Sequence, residues 1–183
     1  MRSSCVASIY RPAEDSYLLQ RHVERLVEGS VLDMGTGSGI QAVAAAKKPN
    51  VRCVVAVDID PAAVEAARGR AEEAHVSHKM CFINSDLFAN VEGRFDWMVF
   101  NPPYLPSEGG VEDRTWDGGG TGRETILRFL EGAKKHLTPG GSILLIYSSE
   151  AGIEAEPYGY KLVVIEEKRL FFETLYCARL TLS

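Results

Sequence analysis

From Ser30 to Tyr147, short apolar runs alternate with longer segments whose apolar residues recur every three or four positions, the pattern of strands and helices taken in turn. The runs predict strands at Val31–Met34, Cys53–Asp58, Met80–Ile83, Phe95–Phe100 and Ser142–Tyr147. Each is apolar on both faces, as strands are when helices cover both sides of a parallel sheet. Between them the spacing predicts helices over Ile40–Lys48, Pro61–His75 and Arg123–Leu137, with a further one over Ala13–Leu26 ahead of the first strand. Asp60 reads as an N-cap with Pro61 at the first helical position, and Val64, Ala67, Ala71 and Ala74 share one face. Along Arg123–Leu137 the inward positions are Ile126, Leu127, Leu130 and Ala133, and Pro139-Gly140-Gly141 follows.

After Tyr147 the pattern changes. Tyr160–Glu166 and Leu170–Leu182 are rich in Val, Ile, Phe, Tyr and Leu, with Lys168-Arg169 between them. A parallel return needs a crossover of about a dozen residues, so two runs this close predict antiparallel neighbours. Ser148 to Gly159 leaves room for a short helix or none. The expected organisation is one α/β domain: an N-terminal helical segment at 1–29, a ligand-binding core at 30–147 and an antiparallel strand pair at 148–183.

Composition narrows the class. The 183 residues are 45% hydrophobic and 25% charged, which excludes wholesale disorder and supports a sizeable core. Apolar stretches such as Ile143–Tyr147 fall far short of the ~20 residues of a membrane-spanning helix. Met1–Tyr10 lacks the sustained apolar region of a secretory leader, so a cytoplasmic location is expected. A net charge of -5 argues against a broad basic face for nucleic acid. Cys5, Cys53, Cys81 and Cys177 form no CxxC pair and read as reduced thiols, with no metal expected in this chain. His22, His75, His78 and His136 read as surface or helix-end residues, and Trp97 as core. Lys47-Lys48 and Lys134-Lys135 sit near helix ends, where they complement the dipole without needing partners.

The chemistry begins at Val31-Leu32-Asp33-Met34-Gly35-Thr36-Gly37-Ser38-Gly39, a strand entering a glycine-rich turn that opens a helix. Such a turn lets backbone approach a nucleotide-like ligand. A dinucleotide fingerprint needs G-x-G-x-x-G, whereas Ile40 stands three residues after Gly37, so NAD drops behind. Asp33 would repel a pyrophosphate and suits a ligand bearing an ammonium or a cation. S-adenosylmethionine carries an ammonium and a sulfonium. Asp58, ending the second strand, is placed to accept ribose hydroxyls, and Asp86-Leu87, after the third, to receive the adenine amino group and ring. Three acids at successive carboxyl ends converge on the crevice where ligands of open parallel sheets bind.

The fourth strand ends in Asn101-Pro102-Pro103-Tyr104. Two prolines stiffen the chain there. A planar amino group is a poor nucleophile because its lone pair is delocalised. The Asn101 side-chain oxygen and the Pro102 carbonyl can each accept one of its hydrogens and aim the nitrogen at a methyl donor. Pro103 adds no competing N–H, and Tyr104 offers a flat stacking face. Catalysis would come from orientation and preorganised electrostatics.

The order Asp33-Met34-Gly35-Thr36-Gly37-Ser38-Gly39, Asp58, Asp86-Leu87 and Asn101-Pro102-Pro103-Tyr104 resembles the class I S-adenosylmethionine-dependent methyltransferases. Arg11-Pro12-Ala13-Glu14-Asp15-Ser16-Tyr17, Trp116-Asp117-Gly118-Gly119-Gly120-Thr121-Gly122-Arg123-Glu124 and Lys168-Arg169-Leu170-Phe171-Phe172-Glu173 are similar to its HemK-like branch in archaea and eukaryotes. The resemblance implies a Rossmann-like, seven-stranded, mostly parallel sheet of order 3-2-1-4-5-7-6. It implies N5-methylation of the glutamine in the Gly-Gly-Gln motif of a class I peptide release factor, yielding S-adenosyl-L-homocysteine. It places Ser16, Asp33, Gly35, Gly37, Asp58, Asp86, Leu87 and Asn101 against the cofactor. Asn101, Pro102, Pro103 and Tyr104 fall on the target amide, with Asn101, Pro102 and Tyr104 in the catalytic role. Ser16 replaces a more usual threonine, and the connection at Ser148 to Gly159 is shorter than in relatives, leaving one flank of the sheet thinly covered.

The resemblance also implies a small zinc-binding activator protein, adding a strand at the third-strand edge. Pro106 to Arg123 is acidic at Glu108, Glu112, Asp113 and Asp117, which suits a lid receiving a basic protein loop. Other readings stand beside this one. Asn-Pro-Pro-Tyr also serves N-methylation of adenine or guanine in DNA or RNA, and other protein side chains are alternative targets. A non-catalytic cofactor-binding scaffold is the alternative outside enzymology.

Overall fold

A computed structural model of the chain describes residues 14–102, 122–171 and 173–183. Pro103, Tyr104, Trp116, the acidic stretch through Thr121, Cys5 and the segment up to Ala13 lie outside the described residues.

The elements run α1 (Glu14–Leu26), β1 (Gly29–Met34), α2 (Ile40–Ala46), β2 (Val51–Asp58), α3 (Pro61–Glu73), β3 (Met80–Asn84), β4 (Phe95–Phe100), α4 (Arg123–His136), β5 (Leu137–Ser148), β6 (Tyr160–Arg169) and β7 (Thr174–Leu182). The seven strands form one sheet in the order β3-β2-β1-β4-β5-β7-β6, as the resemblance implies. Pairing is parallel from β3 to β5 and antiparallel at β5/β7 and β7/β6.

Strand alternation explains why the central strands are apolar throughout. Val31, Val99, Leu144 and Ile146 face one way, packing with Leu18, Leu19 and Val23 of α1 and the alanines of α2. Their neighbours Leu32, Met98, Phe100 and Leu145 face the other way, against Ile126, Phe129 and Leu130 of α4. On α4 the periodicity overrates Leu127, which is half-buried, and overlooks Phe129, whose ring lies 4.5 Å from that of Phe100.

Asp60 caps α3 as expected, its Oδ1 accepting from the Ala62 N–H at 2.9 Å. Helix α1 ends at Leu26 as expected, α2 and α3 end two residues early where they run into the turns that lead to β2 and β3, and α4 ends one residue early because Leu137 enters β5. Strand β5 starts at Leu137 rather than Ser142. Leu137 pairs with Phe95, residues 138–141 bulge out through Gly140 at φ 80°, and continuous pairing resumes at Ser142 opposite Trp97. Strand β6 reaches Arg169 and β7 starts only at Thr174, so Lys168-Arg169 belongs to a strand, and beyond it the Leu170 N–H donates to the Glu173 carbonyl at 2.8 Å. Ser148 to Gly159 holds two three-residue 3₁₀ turns and no longer helix. Val163 and Val164 on edge strand β6 stay exposed beside it.

Two side chains depart from the surface reading. His22 is 4% exposed and lies 2.7 Å from Glu166 of β6, which Arg21 also grips at 2.7 Å. Lys48 is not unpartnered: its ammonium donates to the Val23 carbonyl of α1 at 3.2 Å.

Candidate active site

The site is assembled at the carboxyl ends of β1, β2, β3 and β4. Leaving β1, the chain turns through Gly35 (φ 62°), Gly37 (φ 53°) and Gly39 (φ 77°), all left-handed conformations in which a side chain is strained. The three glycines do different work. A Cβ on Gly39 would stand 2.8 Å from the Ala67 backbone, so this glycine lets α2 press against α3. A Cβ on Gly37 would meet nothing within 4 Å, so this one opens onto the crevice. The packing glycine that a G-x-G-x-x-G pattern supplies at its last position is supplied here by the third glycine of G-x-G-x-G.

Two carboxylates fasten the loop. Asp33, 2% exposed, accepts from the Thr36 hydroxyl at 2.6 Å and the Ala42 N–H at 3.0 Å, both on Oδ2. A helix-start N–H expected to serve a ligand is therefore taken by the protein itself. Burial pushes the Asp33 carboxyl from 3.8 up to about 7, against the pull of those two donors. Asp58 accepts from the Gly37 N–H at 2.8 Å on Oδ2 and from the Asp60 N–H at 3.0 Å on Oδ1. Burial raises it too, with the backbone donors opposing.

Asp86 is exposed and pairs through Oδ2 with Arg128 of α4 at 2.8 Å, leaving Oδ1 for a ligand. Leu87 beside it is half-buried at φ 47°, a conformation uncommon for a leucine. Ser85 stabilises the turn by accepting from the Asn90 N–H at 2.9 Å.

At the end of β4, Asn101 donates from Nδ2 to Asp15 Oδ2 of α1 at 2.8 Å. Its Oδ1 is buried and has no hydrogen-bond partner among the described residues. Pro102 follows, buried. Ser16 is buried next to Asp15, with its carbonyl accepting from Gln41 Nε2 at 2.8 Å. The structure thus brings Ser16, Asp33, Gly35, Gly37, Asp58, Asp86, Leu87, Asn101 and Pro102 to one end of the sheet, and Pro103 and Tyr104 fall outside the described residues. Sequence reasoning missed Asp15, Thr36 and Gln41. Asp15 and Gln41 leave little signal, because each acts through a partner that only the fold brings near, whereas Thr36 stands three residues after its partner Asp33 in the loop itself.

A loop open at Gly37, a buried and a half-buried acid behind it and an amide oxygen without a partner among the described residues, at a proline-stiffened corner, can hold a nucleoside-bearing ligand and orient a planar amino group. Comparison with known proteins agrees with that chemistry. The pattern of the "methyltransferase small domain" family matches residues 4–157. The chain belongs to this family of methyltransferases. A Methanocaldococcus jannaschii relative named for protein N5-glutamine methyltransferase activity is 38% identical, over 91% of this methyltransferase and 88% of that protein. The Mus musculus methyltransferase HEMK2 is 32% identical, over 78% of this chain and 72% of that one. The solved E. cuniculi Mtq2–Trm112 complex, described as responsible for methylation of the translation termination factor eRF1, superposes with a TM-score of 0.72 at 28% identity. That match covers 95% of this chain and 98% of the other. Both the HemK-like resemblance and the sheet order expected from it hold for this methyltransferase.

Proposed function

We propose that the chain uses S-adenosyl-L-methionine to methylate N5 of the glutamine in the Gly-Gly-Gln motif of a class I release factor, in the cytoplasm. The observation that carries the reading is the buried Asn101 Oδ1, which has no hydrogen-bond partner among the described residues. A buried acceptor without a partner is costly, and a substrate amide N–H would satisfy it. The residues present fit the cofactor: Gly37 leaves room for it, Asp58 and Asp86 retain lone pairs for its hydroxyls and amino group, and Leu87 offers its ring an apolar face.

When bound, the cofactor supplies an electrophilic methyl group on a sulfonium. Ser16, Asp33, Gly35, Gly37, Asp58, Asp86, Leu87 and Asn101 would hold and orient it. Asn101 Oδ1 and the Pro102 carbonyl accept the two hydrogens of the target amide, and the family resemblance assigns Pro103 and Tyr104 to the same amide. Accepting both hydrogens fixes the nitrogen and stabilises the positive charge that develops on it, an interaction stronger in the transition state than before it. No strong base is needed until the alkylated nitrogen releases its proton.

The relatives named for glutamine N5-methylation and the complex described for eRF1 support a protein amide as target. The Trm112 subunit of that complex supports a partner protein as a second element; we propose that the partner is small and zinc-binding and adds a strand at β3. Strand β3 is an edge of the sheet, with Cys81 exposed and Phe82 and Ile83 only half-buried, the kind of edge that proteins cover. The test incubates the chain, alone and with such a partner, with methyl-labelled cofactor and either release factor or RNA. Label on the Gly-Gly-Gln glutamine is expected. Label on RNA bases alone would transfer the assignment to nucleobase amino groups.

A further inference from the structure

We propose that Asp15 is a positioning residue that decides which way the Asn101 carboxamide faces, and so makes the catalytic corner an acceptor rather than a donor. The inference rests on the reading of Asn101 as the group that receives the substrate amide. A carboxamide has nearly the same shape after its oxygen and nitrogen exchange places, so packing alone hardly distinguishes the two orientations. One orientation offers the substrate an acceptor. The other offers it an N–H, which a planar amino group cannot use.

The surroundings break this tie. Asp15 is 2% exposed and its Oδ2 receives Asn101 Nδ2 at 2.8 Å. The Asp15 oxygen facing Asn101 is an acceptor, so the flipped amide would press one oxygen against another in a site shielded from water. With nitrogen committed to Asp15, the oxygen must point away from it, and that oxygen is the buried atom without a partner among the described residues.

Asp15 is itself held in place. Its neighbour Ser16 is tied through its carbonyl to Gln41 of α2 at 2.8 Å, and Gln41 is 4% exposed. Glu14 is tied to Lys168 of β6 at 3.0 Å. The first turn of α1 is thus held from two sides, by a buried hydrogen bond to α2 and a surface ion pair to β6. The contact spans 86 residues of sequence and joins α1 to the end of β4.

The experiment compares wild type, Asp15→Asn, Asn101→Asp and the exchange Asp15→Asn/Asn101→Asp, each assayed for transfer to a release factor and for affinity for S-adenosyl-L-methionine. Asn101→Asp sets two carboxylates face to face, and kcat should fall on the order of 100-fold or more. Asp15→Asn allows both amide orientations, and kcat should fall roughly tenfold with cofactor affinity held within a few-fold. In the exchange, the amide now on α1 donates to the carboxylate now at the end of β4, and a carboxylate oxygen is left toward the substrate. The double variant should recover about tenfold over Asn101→Asp alone, a rescue that a purely packing role would not give.

A second readout does not depend on turnover. The Asn101 side-chain amide protons, identified by their loss in Asn101→Asp, should exchange slowly with solvent in the wild-type protein and rapidly in Asp15→Asn. An exchange variant no better than Asn101→Asp, or amide protons that exchange in wild type as freely as in an unfolded chain, would overturn the proposal. Slow amide exchange in a wild-type protein that methylates no release factor would instead leave Asp15 in its role and remove the substrate reading.

Discussion

The two ends of the sheet use the same residue types to opposite effect. At the amino end, Asp96 accepts from the Ser30 N–H and hydroxyl at 2.8 Å each, from Arg52 at 2.9 Å and from Thr138 at 3.0 Å. Those donors, the Ser30 N–H foremost, hold its carboxyl below the usual value despite some burial. At the carboxyl end, Asp33 and Asp58 also bind donors, yet burial wins and both carboxyls are raised. Here too sit the buried Asn101 and Gln41 oxygens without partners among the described residues. One end is a fastening in which donors outweigh burial, and the other is kept short of donors. That shortage marks a place built for a ligand.

The largest test of the contrast is Asn101→Ala, which should lower methyl transfer on the order of 10²–10³-fold, well beyond its loss of cofactor affinity. Equal losses in rate and affinity, measured by single-turnover transfer and by titration, would move Asn101 from chemistry to binding. Next come the paired glycines. Gly39→Ala forces a Cβ onto the Ala67 backbone and should cost about 2–3 kcal/mol in chemical denaturation. Gly37→Ala has open space and should cost only about 1–2 kcal/mol, with its main effect on cofactor affinity. At the opposite end, Asp96→Ala should cost about 1–3 kcal/mol by stranding its donors. Transfer by the folded fraction should not change.

The last test reads the sign of a slope. Asp33 has its folded value raised from 3.8 to about 7, so the folded state binds the proton more tightly than the unfolded one. Its contribution to stability is present at low pH, declines as pH climbs from about 4 to about 7, by at most about 1.4 kcal/mol per pH unit, and is flat above. Asp96 runs the other way, contributing above its unfolded value and losing that contribution as pH falls through its lowered folded value. Melting curves across pH for Asp33→Asn and Asp96→Asn should show slope changes of opposite sign. The same sign in both would break the comparison.

Local features are legible in the amino-acid sequence: the five central strands, the Asp60 cap and the antiparallel tail. Each follows from periodicity, a capping residue or a connection too short to cross over. The edge position of β3 needs the family likeness as well, since strand order is not a local property. Contacts between distant segments leave no such trace. Nothing near Asp15 announces Asn101, and nothing near His22 announces Glu166, 144 residues away. Asp33 shows the subtler limit. Its position before the glycines is plain, but its use of Oδ2 on Thr36 and Ala42 depends on how the loop closes. Helix α4 ends before Pro139-Gly140-Gly141 as expected, but nothing in that run announces that β5 already begins at Leu137 and accommodates it by bulging.

Edge strand β3 carries a thiol of its own. Cys81 is exposed there, Cys53 is exposed on the adjacent β2, and Cys177 is buried, its thiol pushed up to about 12. Alkylation kinetics can therefore serve as an intrinsic footprint of β3: a docked strand would slow modification at Cys81, while Cys177 stays silent in both states. The protein comes with its own occupancy gauge, needing neither an engineered label nor a functional assay.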